Sequence, residues 1–176
     1  MDKYILAAGC SYTLGHDDPD NPIMNSTTHY EFNSWPSWLG KLTNRTCVNY
    51  GRNGVGSFYI ANKVYELADE YKDKDFVMMV MWSGLHRYDM IMDDKWIHSG
   101  QDQFPNFKKH HYKYAHDDQN AYYHTILNIL NVQNFLKQKN IKYLFLTHKD
   151  ILSEFYQKYE KVAYLEKCLD LNNFYF

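Results

Sequence analysis

Ser11 stands in Gly9-Cys10-Ser11-Tyr12-Thr13, directly behind a short apolar run. A hydroxyl presented just past a strand end can attack a carbonyl carbon if a base removes its proton. Serine is equally at home capping a helical turn, so the segment alone supports both readings. The second chemistry-bearing stretch is Asn49-Tyr50-Gly51-Arg52-Asn53-Gly54-Val55-Gly56-Ser57. Glycines allow backbone N–H groups to come close to a ligand, and a helix starting there favours negative charge. Such a turn suits an oxyanion or a phosphate, although the spacing matches neither the P-loop nor the dinucleotide fingerprint. It also suits a plain turn in which a glycine adopts positive φ.

Histidines 110, 111, 116 and 124, with Asp117 and Asp118 close by, raise the question of a metal. Their spacing follows no zinc pattern, so the segment reads instead as a lid over the cleft, and no metal or other cofactor is expected. Tyr112, Tyr114, Tyr122 and Tyr123 offer amphipathic rings for carbohydrate or protein contact, or for packing this segment onto the sheet. Cys10, Cys47 and Cys168 are odd in number and far apart, which argues against a disulfide framework and a thiolate zinc knuckle. Strand parity turns Cys10 away from Ser11, into the core.

These residues need a scaffold. Lys3-Tyr4-Ile5-Leu6-Ala7-Ala8, Thr46-Cys47-Val48-Asn49-Tyr50, Asp75 through Trp82, and Ile141 through Thr147 read as buried strands. Between them, apolar residues recur at helical spacing after Ser34, where Trp38, Leu39 and Leu42 give a stripe, after Ser57, from Ala121 to Lys139, and from Ile151 to Leu169. A polar loop is expected over residues 15–34, and a loop-rich insertion over residues 84–120. Alternating strands and helices predict one α/β domain over residues 1–176. It would be a three-layer α/β/α sandwich with a flavodoxin-like parallel sheet of four to five strands and right-handed crossovers. Chemistry in such sheets gathers at the carboxyl ends of the strands, which singles out the loops after Gly9, Gly51 and Trp82.

The chain has 176 residues with 19 Lys plus Arg against 21 Asp plus Glu, a formal charge of −2. That balance leaves no basic excess to neutralise a phosphate backbone, so nucleic acid is not an expected partner. Apolar runs of a few residues fall far short of the roughly 20 a bilayer requires. The N-terminus enters a strand without signal-peptide anatomy, and the expected location is the cytoplasm.

Taken together, Gly9-Cys10-Ser11-Tyr12-Thr13 and Asn49 through Gly54 resemble the SGNH (GDSL-like) hydrolase superfamily, in a form associated with bacterial and phage members. Trp35-Pro36, followed by Leu39 and Leu42, is similar to a helix start found in that family. The resemblance implies a serine ester hydrolase acting on a small-molecule or carbohydrate ester, with Ser11 as nucleophile and Gly54 as oxyanion donor. It implies no cofactor. The sequence departs from the family twice. Trp82-Ser83-Gly84-Leu85-His86-Arg87 lacks the family's oxyanion Asn, leaving the Ser83 hydroxyl or the Arg87 guanidinium as substitute donors; Arg87 is equally suited to an ion pair with Asp89 or Glu66. There is also no Asp-x-x-His, so His148, at the end of the fourth strand, is the expected base, with His86 second. The rival reading is a non-catalytic binding or structural module, such as a phage particle component, that takes a protein partner or forms a homo-oligomer.

Overall fold

The computed structural model describes residues 3–15, 34–99, 109, 117–147, 150–152 and 159–175. The described strands are β1 (Lys3–Gly9), β2 (Thr46–Gly51), β3 (Asp75–Trp82), β4 (Asp89–Met92), β5 (Lys95–His98), β6 (Lys142–Thr147) and β7 (Phe174–Tyr175). The described helices are α1 (Ser11–Leu14), α2 (Trp35–Thr43), α3 (Ser57–Glu70), α4 (Asp118–Gln138) and α5 (Glu160–Glu166). Five strands form one parallel sheet in the order β2-β1-β3-β6-β7. The expected α/β sandwich is therefore present. Its fifth strand is the short segment Phe174–Tyr175, paired with Phe145 and Leu146.

Parity along the strands divides the core. Leu6 and Ala8 of β1, Met78, Val80 and Trp82 of β3, and Tyr143 and Phe145 of β6 face one side. There they join Val64 and Leu67 of α3, Ile126, Ile129 and Leu136 of α4, and Val162 and Leu165 of α5 in one buried cluster. Ile5, Ala7 and Met79 are buried on the opposite face. Right-handed crossovers account for this division: the step from β1 to β2 runs opposite to every later step, so its helix lands on the other side.

That helix, α2, does not bury the stripe expected of it. Trp38 and Leu42 are exposed, and the residues α2 buries are Pro36 and Gly40. Gly40 lies flat on β2, where an added Cβ would stand 2.9 Å from the Cys47 Cβ. Close approach through glycine lets the backbone, not the large side chains, make the contact. Burial pushes the Cys47 thiol up to about 11.

The segment after β3 also differs from the expected loops. Strands β4 and β5 form an antiparallel hairpin in which Met92 pairs with Lys95 across Asp93 and Asp94. Both aspartates adopt the left-handed conformation, with φ of 49° and 58°, which a two-residue turn of this kind demands. Asp117 caps α4 by accepting from the Asn120 N–H at 2.8 Å. Tyr122 is fully buried in the core rather than on a recognition surface. Histidines 110, 111 and 116 and tyrosines 112 and 114 lie outside the described residues. His124 is exposed on α4 and lies edge-on to the Tyr123 ring. No group of three or more potential metal ligands occurs among the described residues, nor is any described helix long and apolar enough to cross a membrane.

Candidate active site

At the end of β1, which lies between β2 and β3, the chain turns sharply. Gly9 pairs with Gly51 on one side and Met81 on the other, so the segments after three adjacent strands leave the sheet side by side. Cys10 is the N-cap of α1 in extended conformation and its side chain is buried, 1% exposed, as parity requires. Ser11 is the first residue of that single turn and is half-buried. Serine is not the cap here, because Cys10 holds that position and no side chain bonds to the turn.

Two glycines let this turn sit against its neighbours. A Cβ on Gly9 would fall 2.0 Å from Thr13 Oγ1, and one on Gly51 would fall 2.3 Å from the Leu14 nitrogen. Asn49 fastens the contact: its Nδ2 donates to the Thr13 carbonyl at 2.8 Å and to Ser34 Oγ at 3.2 Å, while its Oδ1 accepts the Gly51 N–H at 2.9 Å. The Arg52 N–H bonds back to the Gly9 carbonyl at 3.0 Å. Gly54 then takes φ of 74°, which glycine accommodates without a steric penalty. It is buried, and its N–H makes no backbone hydrogen bond among the described residues.

Asp89 lies just beyond this loop. Its carboxylate accepts the Gly56 N–H at 2.8 and 3.0 Å, the Tyr59 N–H at 2.9 Å, and His98 Nδ1 at 2.9 Å. Both side chains are fully buried. An internal carboxylate therefore occupies the N-terminus of α3, the place where a phosphate would have to bind, which removes the physical basis for phosphate recognition there.

Ser83 and Arg87 follow β3 at the same edge. Ser83, directly after β3, is 1% exposed. Arg87 is half-buried, and its alternative role as an ion-pair partner is not realised: Asp89 is taken as described, and Glu66 pairs with Lys63. His86 is exposed, with its Nδ1 3.7 Å from Asp118 Oδ1. His148 lies outside the described residues. Thr147, the residue before it, pairs with Trp82 at the end of β6. Thr13 Oγ1, Ser83 Oγ, Arg87 Nη1, His98 Nε2 and Thr147 Oγ1 are all buried without a hydrogen-bond partner among the described residues. Buried polar atoms are normally paired, so each of these calls for an explanation.

No family model matches this chain, and no curated protein does. Solved structures do. One is AlinE4, described as an SGNH-hydrolase family esterase, with a TM-score of 0.53 and 16% identity over 96% of this chain and 73% of that one. Another is a putative lipolytic protein of the G-D-S-L family from Desulfitobacterium hafniense DCB-2, with a TM-score of 0.50 and 16% identity over 98% and 83%. The chain thus has the fold of SGNH hydrolases, as its motifs led one to expect.

Sequence reasoning missed Asp89 and His98 as parts of this edge. The signal lay in the alternation of Trp96-Ile97-His98 opposite Asp89-Met90-Ile91 across two aspartates, which spells a hairpin once αL-tolerant residues are allowed at its turn.

Proposed function

We propose that this protein is a serine ester hydrolase acting on a small-molecule or carbohydrate ester. The observation that carries the reading is that these segments leave one sheet edge side by side: a half-buried serine after β1, a glycine turn after β2 whose buried Gly54 N–H has no backbone partner among the described residues, and after β3 Ser83 Oγ and Arg87 Nη1, without partners among the described residues. Ser11 Oγ attacks the ester carbonyl carbon while His148 takes its proton. The carbonyl oxygen becomes an oxyanion held by the Ser11 and Gly54 N–H groups, with Ser83 or Arg87 as the third donor. The tetrahedral intermediate collapses, the alcohol leaves with the proton from the imidazolium, and water then releases the acyl group from Ser11 by the same steps.

The test is labelling by a fluorophosphonate probe together with hydrolysis of p-nitrophenyl acetate. Wild type should be labelled and Ser11→Ala should not. Arg87→Met or Ser83→Ala, whichever removes the third donor, should lower turnover about 100- to 1,000-fold. A folded wild-type protein that neither takes the probe nor turns over ester above background would overturn this reading in favour of a binding module.

A further inference from the structure

We propose that Asp89 and His98 are positioning residues that hold the Gly54 turn in its working shape, an inference that rests on the esterase reading of that site. The glycine turn of residues 51–56 is fixed at its first end by Asn49 and by the bond from Arg52 to Gly9. At its other end Gly56 has no side chain with which to cap α3. The cap comes instead from Asp89, 33 residues further on, whose two oxygens take the Gly56 and Tyr59 N–H groups. A buried carboxylate needs donors on all sides, and His98 supplies one through Nδ1.

The imidazole is itself held in place. Trp96 stacks on it at 6.1 Å with planes 8° apart, and the Tyr59 ring meets it edge-on at 5.0 Å. Space is also tight: a Cβ on Gly56 would stand 2.5 Å from the Arg87 carbonyl and 2.8 Å from Asp89 Oδ2. The pair therefore sets both the path of the glycine turn and the backbone of Arg87, the two segments that offer donors to the oxyanion. An oxyanion hole works by having its donors fixed before charge develops. Loosening this anchor should cost transition-state stabilisation while leaving ground-state binding nearly intact.

The experiment compares wild type, Ser11→Ala, Asp89→Asn and His98→Phe, each checked for a native circular dichroism spectrum. Asp89→Asn keeps the size and one acceptor oxygen, so it separates anchoring from collapse of the hairpin. Amide hydrogen exchange at Gly56 and Tyr59, the two amides that Asp89 holds, is followed by NMR alongside p-nitrophenyl acetate kinetics. The expected result is faster exchange at these amides in both variants, with kcat about 10- to 100-fold lower and KM little changed. Unaltered exchange at Gly56 and Tyr59 in both variants, or an unaltered kcat in an enzyme that Ser11→Ala silences, overturns the proposal and leaves the esterase reading standing. If wild type is inactive, the esterase reading fails by itself, and exchange at the Gly56 and Tyr59 amides alone decides whether the anchor exists.

Discussion

Asn49 Nδ2 sits 2.8 Å from the Thr13 carbonyl oxygen, so a side chain on edge-lying β2 holds the turn that begins with Ser11. The same amide accepts the Gly51 N–H through Oδ1. One residue thereby fixes both the turn carrying Ser11 and the start of the glycine turn. Asn49→Ala should cost about 1–3 kcal/mol, because it leaves a part-buried carbonyl and N–H without their partners. Asn49→Asp should be at least as costly, since a carboxylate oxygen would then face the Thr13 carbonyl. Urea titration checks this: the midpoint should fall with little change in slope. Equal midpoints for wild type and Asn49→Asp would show that the two turns hold together without it.

Glycines 51 and 54 should respond differently to alanine. At Gly51 the new Cβ meets only backbone, 2.3 Å from the Leu14 nitrogen and 2.7 Å from both the Leu14 Cα and the Thr13 carbonyl carbon. Nothing there can swing aside, so α1 must move. At Gly54 the obstacle is conformational, a positive φ that costs an L-residue about 1–2 kcal/mol. Gly51→Ala should therefore lower the melting temperature more than Gly54→Ala. The reverse order would mean that α1 can shift cheaply.

Inside the α4–α5 contact the Tyr122 hydroxyl donates to Glu166 Oε1 at 2.6 Å, with both residues buried. Glu166 Oε2 has no partner among the described residues, so the carboxyl depends heavily on that hydroxyl. Tyr122→Phe should destabilise the protein by about 1.5–3 kcal/mol, the range for a hydrogen bond to a charged group. The double variant Tyr122→Phe/Glu166→Leu should recover part of the loss by removing the stranded acid. A double-mutant cycle with zero coupling would contradict this.

The parts of the fold that the sequence disclosed are those whose burial leaves a one-dimensional pattern. Phe76-Val77-Met78-Met79-Val80-Met81 is apolar on both faces because β3 lies inside the sheet between β1 and β6, with Met78 and Val80 in the core cluster and Met79 buried on the opposite face, and the turn after β1 was legible because Gly9 ends the strand abruptly. The hairpin was not, since its turn uses Asp93 and Asp94 where glycine or asparagine is the usual signal. Asp89 and His98 look like solvent-facing residues in a polar stretch. Only the fold brings the α3 amides to one and Trp96 to the other. Trp38 and Leu42 failed in the opposite sense: apolar periodicity marks one face of α2, but Gly40 determines which face meets β2.

Lys137 Nζ lies 2.7 Å from Asp170 Oδ2, joining α4 to the segment that leads into β7. The bond from Lys137 holds the Asp170 carboxyl below its ordinary value, helped by Asn173, and the bond to Asp170 raises the Lys137 ammonium. The acidic limb follows from the depressed carboxyl: its contribution is complete above the unfolded value of about 3.9 and is lost as pH falls through the lower folded value. The alkaline limb follows from the raised ammonium, whose contribution is complete below about 10.4 and is lost as pH rises through the higher folded value. Between these limits the pair should contribute a constant amount. Lys137 is half exposed, so that amount is about 0.2–1 kcal/mol and shrinks in high salt. Lys137→Met should therefore be less stable than wild type by a fixed margin from pH 5 to 9, a margin that closes at strongly acid pH and in about 1 M salt. Stability curves for the two proteins that stay parallel down to full carboxylate protonation would show that the pair contributes nothing through charge.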